Sequence, residues 1–216
     1  MKKYSTVIFD VDGTLLDTRE GIMESVEYTI DVHKLKPLDE STLLSFIGPP
    51  VQESFQKAYG LEGEVIQELT TTFRNRYKGV GLLKAIPYDG IYEVCNSLKT
   101  QGVKIAVATY KRQDYARMVL KHFRFDEYSD VIYGADHQNK LTKTDIIKKC
   151  IDNLGVKNYK EVLMIGDSSY DAIGSEQIGI DFLGVTYGFD FRTEKDVMQY
   201  QAIGSAAEPL DILHYI

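Results

Sequence analysis

Asp10 and Asp12 stand two apart in the string TVIFDVDGTLLDT, directly after an apolar run. Side chains two apart on an extended backbone point the same way, so these two carboxylates share one space. Carboxylates that close raise each other's cost of ionisation unless a cation lies between them. Gly13 then permits a sharp turn that brings backbone N–H groups toward a ligand, and Thr14 adds a small hydroxyl. Taken without its surroundings, the same string is a polar turn with Asp or Thr as a helix N-cap. A second pair, Asp167 and Asp171, follows another apolar run in LMIGDSSYD; four apart, they lie on one face at a helix start. N-capping would occupy one of them and be wasteful for both. Together the four aspartates make an oxygen-rich nest suited to Mg²⁺, a hard cation held by few carboxylates plus water and phosphate.

Three further residues fit that chemistry. Thr109 closes the apolar stretch of AVATYKR, either as a helix N-cap or as a hydroxyl and N–H for a phosphoryl oxygen. Lys111 and Arg112 add positive charge in the same loop, as solvated groups or as groups facing a ligand. Lys143 opens a helix in LTKTDII, where a cation opposes the helix dipole and gains nothing from a surface role. Neutralising carboxylates and phosphate would account for it. Four aspartates against Lys143 and one Mg²⁺ leave about one negative charge, so a phosphate dianion would hardly enter without the metal. Asp17 and Arg19 read equally as a helix start or as tuning a hinge. His33, His122, His137 and His214 show no ligand spacing, and neither a P-loop nor a dinucleotide glycine pattern occurs.

The elements that must position these residues alternate. Strands are expected at 6–9, 103–108, 130–133, 162–165 and, as the final one, 181–185. Helices are expected at 90–98, 114–123, 143–154 and 171–178. Strand–helix alternation at this spacing implies a parallel sheet covered on both faces, with right-handed crossovers and ligands at the carboxyl ends of the strands. Asp10, Thr109 and Asp167 all fall on such ends. Between the first strand and the rest the pattern turns helical. Ile22, Val26 and Ile30 mark one helix, and an Asp39-capped stretch with Leu43, Leu44 and Phe46 a second. A third has Pro50 in its first turn and runs through Phe55 and Tyr59 to Gly60; the fourth covers 63–77. The expected organisation is an α/β, Rossmann-like core of residues 1–17 and 85–216 with an inserted four-helix cap domain, 18–84.

Composition bounds the partners. A net charge of −7 leaves no basic stripe to release counterions from nucleic acid, so a nucleic-acid partner is not expected. No apolar run approaches the roughly 20 residues that span a bilayer, so no membrane role is expected either. The start, MKKYSTVIFD, has too short an apolar run for a signal peptide. Cys95 and Cys150, isolated in helical patterns, read as reduced core thiols. The cytoplasm is the simplest location, and a monomer or homodimer is expected.

With those residues in place the chain resembles the haloacid dehalogenase superfamily over essentially its whole length. DVDGT at Asp10 is similar to that superfamily's first motif, Thr109 to the second, Lys143 to the third, and GDSSYD, from Gly166 through Asp171, to the fourth. The helical insertion is similar to its four-helix cap. The resemblance implies that Asp10 is a nucleophile that becomes an aspartyl-phosphate, and that Asp12 is the general acid/base and also binds Mg²⁺ through its backbone carbonyl. It further implies that Asp167 ligates Mg²⁺ with Asp171 in or beside the metal shell, while Thr109 and Lys143 hold phosphoryl oxygens. Haloalkanoate dehalogenases lack the second aspartate of the first motif, so Asp12 points to phosphate esters. FIGPPVQESF, FRNRY and GVTYGF look like the phosphoglycolate phosphatase group and its neighbouring 5′-nucleotidase-like branch. The implied partner is a small phosphorylated metabolite, bound by Gly13 and Lys111 and, on cap closure, by Gly48 and Pro49. Tyr110 departs from that branch, which usually has a small residue before Lys111, and its bulk is expected to narrow the substrate pocket. A sugar-phosphate mutase would use the same aspartates, and a non-enzymatic phospho-acceptor would keep only a modified aspartate; Asp12 and the cap speak against the latter.

Overall fold

The computed structural model of the protein describes residues 3–129, 131–138 and 140–216. The chain divides into two compact units: one runs up to Asp17 and resumes over Pro87–Ile216, and the other is Thr18–Ile86. In chain order β1 (Thr6–Phe9) and the two-residue β2 (Leu16–Asp17) precede four helices, α1 (Arg19–Val32), α2 (Glu40–Leu44), α3 (Val51–Tyr59) and α4 (Glu64–Arg76). The last runs on into a π-helical turn, Tyr77–Gly81, closed by Leu82 N–H on the Tyr77 carbonyl at 2.7 Å.

The helical unit has its own core, with Val26, Phe55 and Leu69 fully buried. Phe46 packs edge-on against Phe55 with ring centroids 5.0 Å apart. Asp39 caps α2 by accepting the Thr42 N–H at 2.7 Å, and Gly60, in the left-handed region, stops α3. Phe46 lies beyond α2, and Pro50 takes the N-cap position of α3, one place before the first turn where the sequence put it. The boundary expected at 84/85 falls at 86/87. Lys84 still belongs to the helical unit, paired with Glu24 at 2.5 Å and accepting the Gly21 N–H.

After the two-residue β3 (Ile86–Pro87), which straddles the boundary, the larger unit continues through α5 (Ile91–Thr100), β4 (Lys104–Arg112), α6 (Gln113–His122), β5 (Ile132–Ala135), α7 (Lys143–Leu154), β6 (Val162–Gly166), α8 (Ser169–Ile178), β7 (Asp181–Val185), α9 (Glu194–Val197) and β8 (Gly204–Ala206). Its six-stranded sheet has the order β5-β4-β1-β6-β7-β8, and every paired neighbour is parallel. β1 is buried at every position, as a central parallel strand requires. On one face α7 brings Ile146, Ile147 and Ile151 to full burial against Ile8, Ala106 and Met164, each isoleucine contributing about 1.5–3 kcal/mol.

The alternation is as expected, with two differences. β7 is not the last strand, since β8 pairs beside it. β4 runs past Ala108 to Arg112, because a register shift against β5 is bridged by Gln113: its amide donates to Ile132 O at 2.7 Å and accepts from Gly134 N–H at 2.6 Å. Asp130, placed in the third strand from sequence, lies outside the described residues. Among the described residues no helix is long and apolar enough to cross a membrane.

Candidate active site

The strand order reverses direction at β1: the chain builds outward through β4 and β5, then resumes on the other side with β6 and β7. The crevice beyond such a switch is where parallel sheets bind ligands. Register places Asp10 there, because Phe9 pairs with Ile165 and Val107, and Asp10 N–H donates to Ile165 O at 3.0 Å. Asp167, one residue past β6, is its neighbour across the switch.

Lys143 reaches the same point from α7. Thr142 and Asp145 form a reciprocal cap that fixes Lys143 as the first helical residue. Ile146 and Ile147, three and four on, share its face and are fully buried, so the lysine is carried inward to 3% exposure. Its ammonium lies 2.8 Å from Asp10 Oδ1 and 2.6 Å from Asp171 Oδ1. Burial alone would lower the Lys143 pKa, but the Asp10 and Asp171 carboxylates outweigh it and hold it above its ordinary value. Asp171 Oδ2 accepts from Ser168 Oγ at 2.6 Å and Ser168 N–H at 3.2 Å. Asp171 is thus both the third-residue partner of Ser168 in the α8 cap and a counterion of Lys143.

Asp167 Oδ2 accepts the Phe189 N–H at 2.6 Å. Gly13, at φ +77°, brings the turn after Asp12 so close that a Cβ there would overlap the Asp167 carboxylate. Asp10, Asp167 and Asp171 are all buried, and each offers an oxygen within 4.8 Å of the others. The Asp12 side chain is not one of this trio. It pairs instead with Lys111, Nζ to Oδ1 at 2.9 Å, both buried. Lys111, read from sequence as a substrate ligand, therefore holds the second aspartate of the motif. Its N–H donates to Thr109 Oγ1 at 3.1 Å, which orients a buried hydroxyl at the same strand end.

Tyr110 lies beside Lys143, whose ammonium is 5.7 Å from the centre of its ring. Its Oη accepts the Lys143 N–H at 3.0 Å, and its ring meets Tyr170 edge-on at 5.1 Å, so it braces the start of α7. Gly48 and Pro49 lie in the helical unit between α2 and α3, Gly48 at φ +100°. The sequence reading quoted Tyr187, Gly188 and Phe189 within GVTYGF but gave them no role at the site; that motif and its position just beyond β7, next to β6 at the carboxyl edge, were the available signals.

The donor set fits a hard divalent cation. Every ligand atom in the trio is a carboxylate oxygen; Asp167 commits one oxygen to the Phe189 N–H and keeps the other for a ligand, while Asp10 Oδ1, held by Lys143, has a second lone pair for a cation and leaves the other Asp10 oxygen free to react. Four aspartates against two buried lysines leave two negative charges, which one dication cancels. The cost of leaving them unbalanced is visible in the carboxyls. Burial raises Asp10 to about 6, with Lys143 opposing and Asp171 and Asp12 adding. Burial likewise pushes Asp167 well above the usual carboxylate range, with Asp10 and Asp171 contributing.

A stability prediction follows from the sign of these shifts. A carboxyl whose folded pKa is raised binds more protons folded than unfolded, so its contribution is present below about pH 4 and lost as pH rises through about 6. For Asp10 the loss is on the order of 2–3 kcal/mol. In EDTA, Asp10→Asn should therefore gain stability relative to wild type between pH 4 and pH 8, and saturating Mg²⁺ should remove that gain by stabilising wild type. Denaturant melts at both pH values measure it; a difference that does not change with pH would contradict the assigned burial of charge.

A sheet with this switch point, carrying two motif aspartates, a helix-borne lysine and a second aspartate pair, defines a class. The chain belongs to the haloacid dehalogenase-like hydrolase family, whose model matches residues 7–185. Within it the chain is a phosphatase: it is 35% identical over 193 residues to a 5′-nucleotidase of Pseudomonas aeruginosa, covering 89% of this chain and 87% of that one. It is 32% identical to pyrophosphatase PpaX of Halalkalibacterium halodurans, over 97% of this chain and 96% of that protein. The crystal structure of a predicted phosphatase from Clostridium acetobutylicum superposes with a TM-score of 0.89 at 35% identity, covering 98% of this chain and 97% of the other.

Proposed function

We propose that this phosphatase is a Mg²⁺-dependent phosphomonoesterase acting on small phosphorylated metabolites through an aspartyl-phosphate on Asp10. The observation that carries the reading is the buried Lys143–Asp10 contact at 2.8 Å inside the carboxylate trio, with Asp12 two residues on and paired to Lys111. Asp10 attacks phosphorus with the carboxylate oxygen that Lys143 does not hold, and the ester oxygen leaves with a proton that Asp12 takes up from solvent once the arriving anion has drawn Lys111 off it. Water then attacks the phosphorus of the aspartyl-phosphate, Asp12 takes its proton, and Asp10 is regenerated with release of inorganic phosphate. Lys143 and the Thr109 hydroxyl stabilise charge on the transferring phosphoryl group. The arriving anion competes with Asp12 for Lys111, which returns Lys111 to the substrate-binding role expected of it and frees Asp12 for proton exchange. Asp10 and Asp167, with the Asp12 carbonyl and Asp171 beside them, would hold Mg²⁺, which screens the phosphoryl charge when bound.

Substrate choice is assigned to the helical unit through its Gly48-Pro49-Pro50 loop. The named relatives support two substrate arms, 5′-nucleotides and pyrophosphate, beside the 2-phosphoglycolate suggested by sequence motifs. Phosphate release should be measured from 5′-nucleotides, 2-phosphoglycolate, pyrophosphate and hexose phosphates. We expect one class to be hydrolysed with a clear preference, and turnover to vanish in EDTA and return with Mg²⁺. Interconversion of hexose phosphates without phosphate release would instead make the protein a mutase, and undiminished turnover in EDTA would remove the metal.

A further inference from the structure

The stretch from Tyr187 to Phe191, between β7 and α9, bonds to three places around the carboxylate cluster: the turn after Asp12, Asp167 and the first residue of α8. Tyr187 Oη donates to the Thr14 carbonyl at 3.1 Å, in the turn that follows Asp10 and Asp12. Phe189 N–H donates to Asp167 Oδ2 at 2.6 Å, and Phe191 N–H to the Asp167 backbone carbonyl at 2.9 Å. Asp190 Oδ2 accepts the Ser169 N–H at 3.1 Å and faces its hydroxyl at 3.3 Å, at the first residue of the helix that carries Asp171. Gly188 sits between these contacts with no room for a side chain: a Cβ there would overlap Asp167 Cβ and Oδ2 and also the Gly13 carbonyl oxygen. Arg192 Nη1 holds the Gly188 carbonyl at 3.1 Å.

A loop that merely closed the end of the sheet would have no need to reach all three. β1 and β6 are fixed to each other by their ladder as far as the Asp10 N–H on Ile165 O at 3.0 Å, and the register takes in neither the Asp12–Thr14 turn nor Asp167. Beyond it the separation of the Asp10 turn from Asp167 depends on what is wedged against both. We propose that residues 187–191 are a positioning clamp, with Gly188 as the wedge, that sets the spacing between the Asp10–Thr14 turn and Asp167 and turns one Asp167 oxygen toward the metal. Phe189 N–H occupies Oδ2 and so presents Oδ1, as a hydrogen bond to a ligating carboxylate does at metal sites generally. The clamp rests on the reading of Asp167 as a Mg²⁺ ligand given above.

Calorimetric titration of the full chain with Mg²⁺ tests it directly, beside steady-state kinetics and a thermal melt in EDTA. Gly188→Ala should bind Mg²⁺ about 10–100-fold more weakly than wild type while remaining folded. Tyr187 hydrogen-bonds to the nucleophile turn and gives no hydrogen bond to Asp167, so Tyr187→Phe should keep wild-type Mg²⁺ affinity and lose about three- to tenfold in kcat at unchanged KM. Wild-type Mg²⁺ affinity in folded Gly188→Ala would overturn the clamp. Should Gly188→Ala fail to fold, Asp190→Ala and Tyr187→Phe decide: wild-type affinity and wild-type kcat in both would overturn it. Absence of Mg²⁺ binding by wild type would overturn the underlying metal assignment and not the clamp alone.

Discussion

Asp10→Asn is expected to lose about 10⁴-fold or more in turnover on every ester while keeping its fold. The variant keeps the size of the side chain and an oxygen for the Lys143 ammonium, which now lies 2.8 Å from Asp10 Oδ1. What it loses is the second anionic oxygen, and an amide is too poor a nucleophile to displace an alkoxide from phosphorus. Removing the residue that forms the covalent bond eliminates the two-step route altogether, which is why such losses reach several orders of magnitude. The structure adds that this loss will not be a folding defect. Burial and two neighbouring carboxylates already make an ionised Asp10 costly to the metal-free protein. Steady-state phosphate release alongside a melt in EDTA separates the two effects; retained turnover in the folded variant would remove Asp10 as the nucleophile.

Asp12→Asn is expected to slow hydrolysis of alkyl esters by roughly 10²–10⁴-fold, the usual worth of general acid–base catalysis. Here the nucleophile stays and the proton donor goes. An alkoxide leaving group then departs unprotonated, and water meets the aspartyl-phosphate without a base. For nitrophenyl phosphate the leaving group is already acidic, so the first step needs little help. The variant should phosphorylate itself, show a burst of nitrophenol and accumulate the adduct. The buried contact between Asp12 and Lys111 complicates a simple deletion, because it leaves Lys111 without its partner carboxylate. Lys111→Met separates the cases: it should weaken substrate binding without any burst. A burst in neither variant would remove Asp12 as the acid and base.

The lines of this site were legible in the sequence because side-chain chemistry marks them. DVDGT follows a run buried at every position, and α7 begins and ends where T-x-x-D and Gly155 say a helix should. Strand and helix alternation alone places Asp10, Thr109 and Asp167 on one edge of the sheet. What stayed hidden has physical reasons. β8 is Gly-Ser-Ala, with no apolar run to announce it, and β4 extends through polar Lys111 and Arg112 because Gln113 completes its ladder. Lys111 finds Asp12 across about a hundred residues of chain, a pairing that no local spacing encodes. The hold on Asp167 comes from a backbone N–H and from the absence of a side chain at Gly188, and neither carries a residue-type signature. Tyr110 was legible as a departure from the family pattern, but only the structure directs its hydroxyl to the Lys143 N–H.

The central claim is that phosphate passes through a covalent bond to Asp10, and trapping that bond tests it most directly. Wild type and Asp12→Asn would be mixed with nitrophenyl phosphate and Mg²⁺, quenched in borohydride and digested for peptide mass analysis. Borohydride reduces an aspartyl-phosphate to homoserine and leaves a free carboxylate untouched. The account predicts homoserine at position 10, strongest in Asp12→Asn and absent from Asp10→Asn. Turnover with no modified Asp10 peptide, or with the label on another residue, would contradict it.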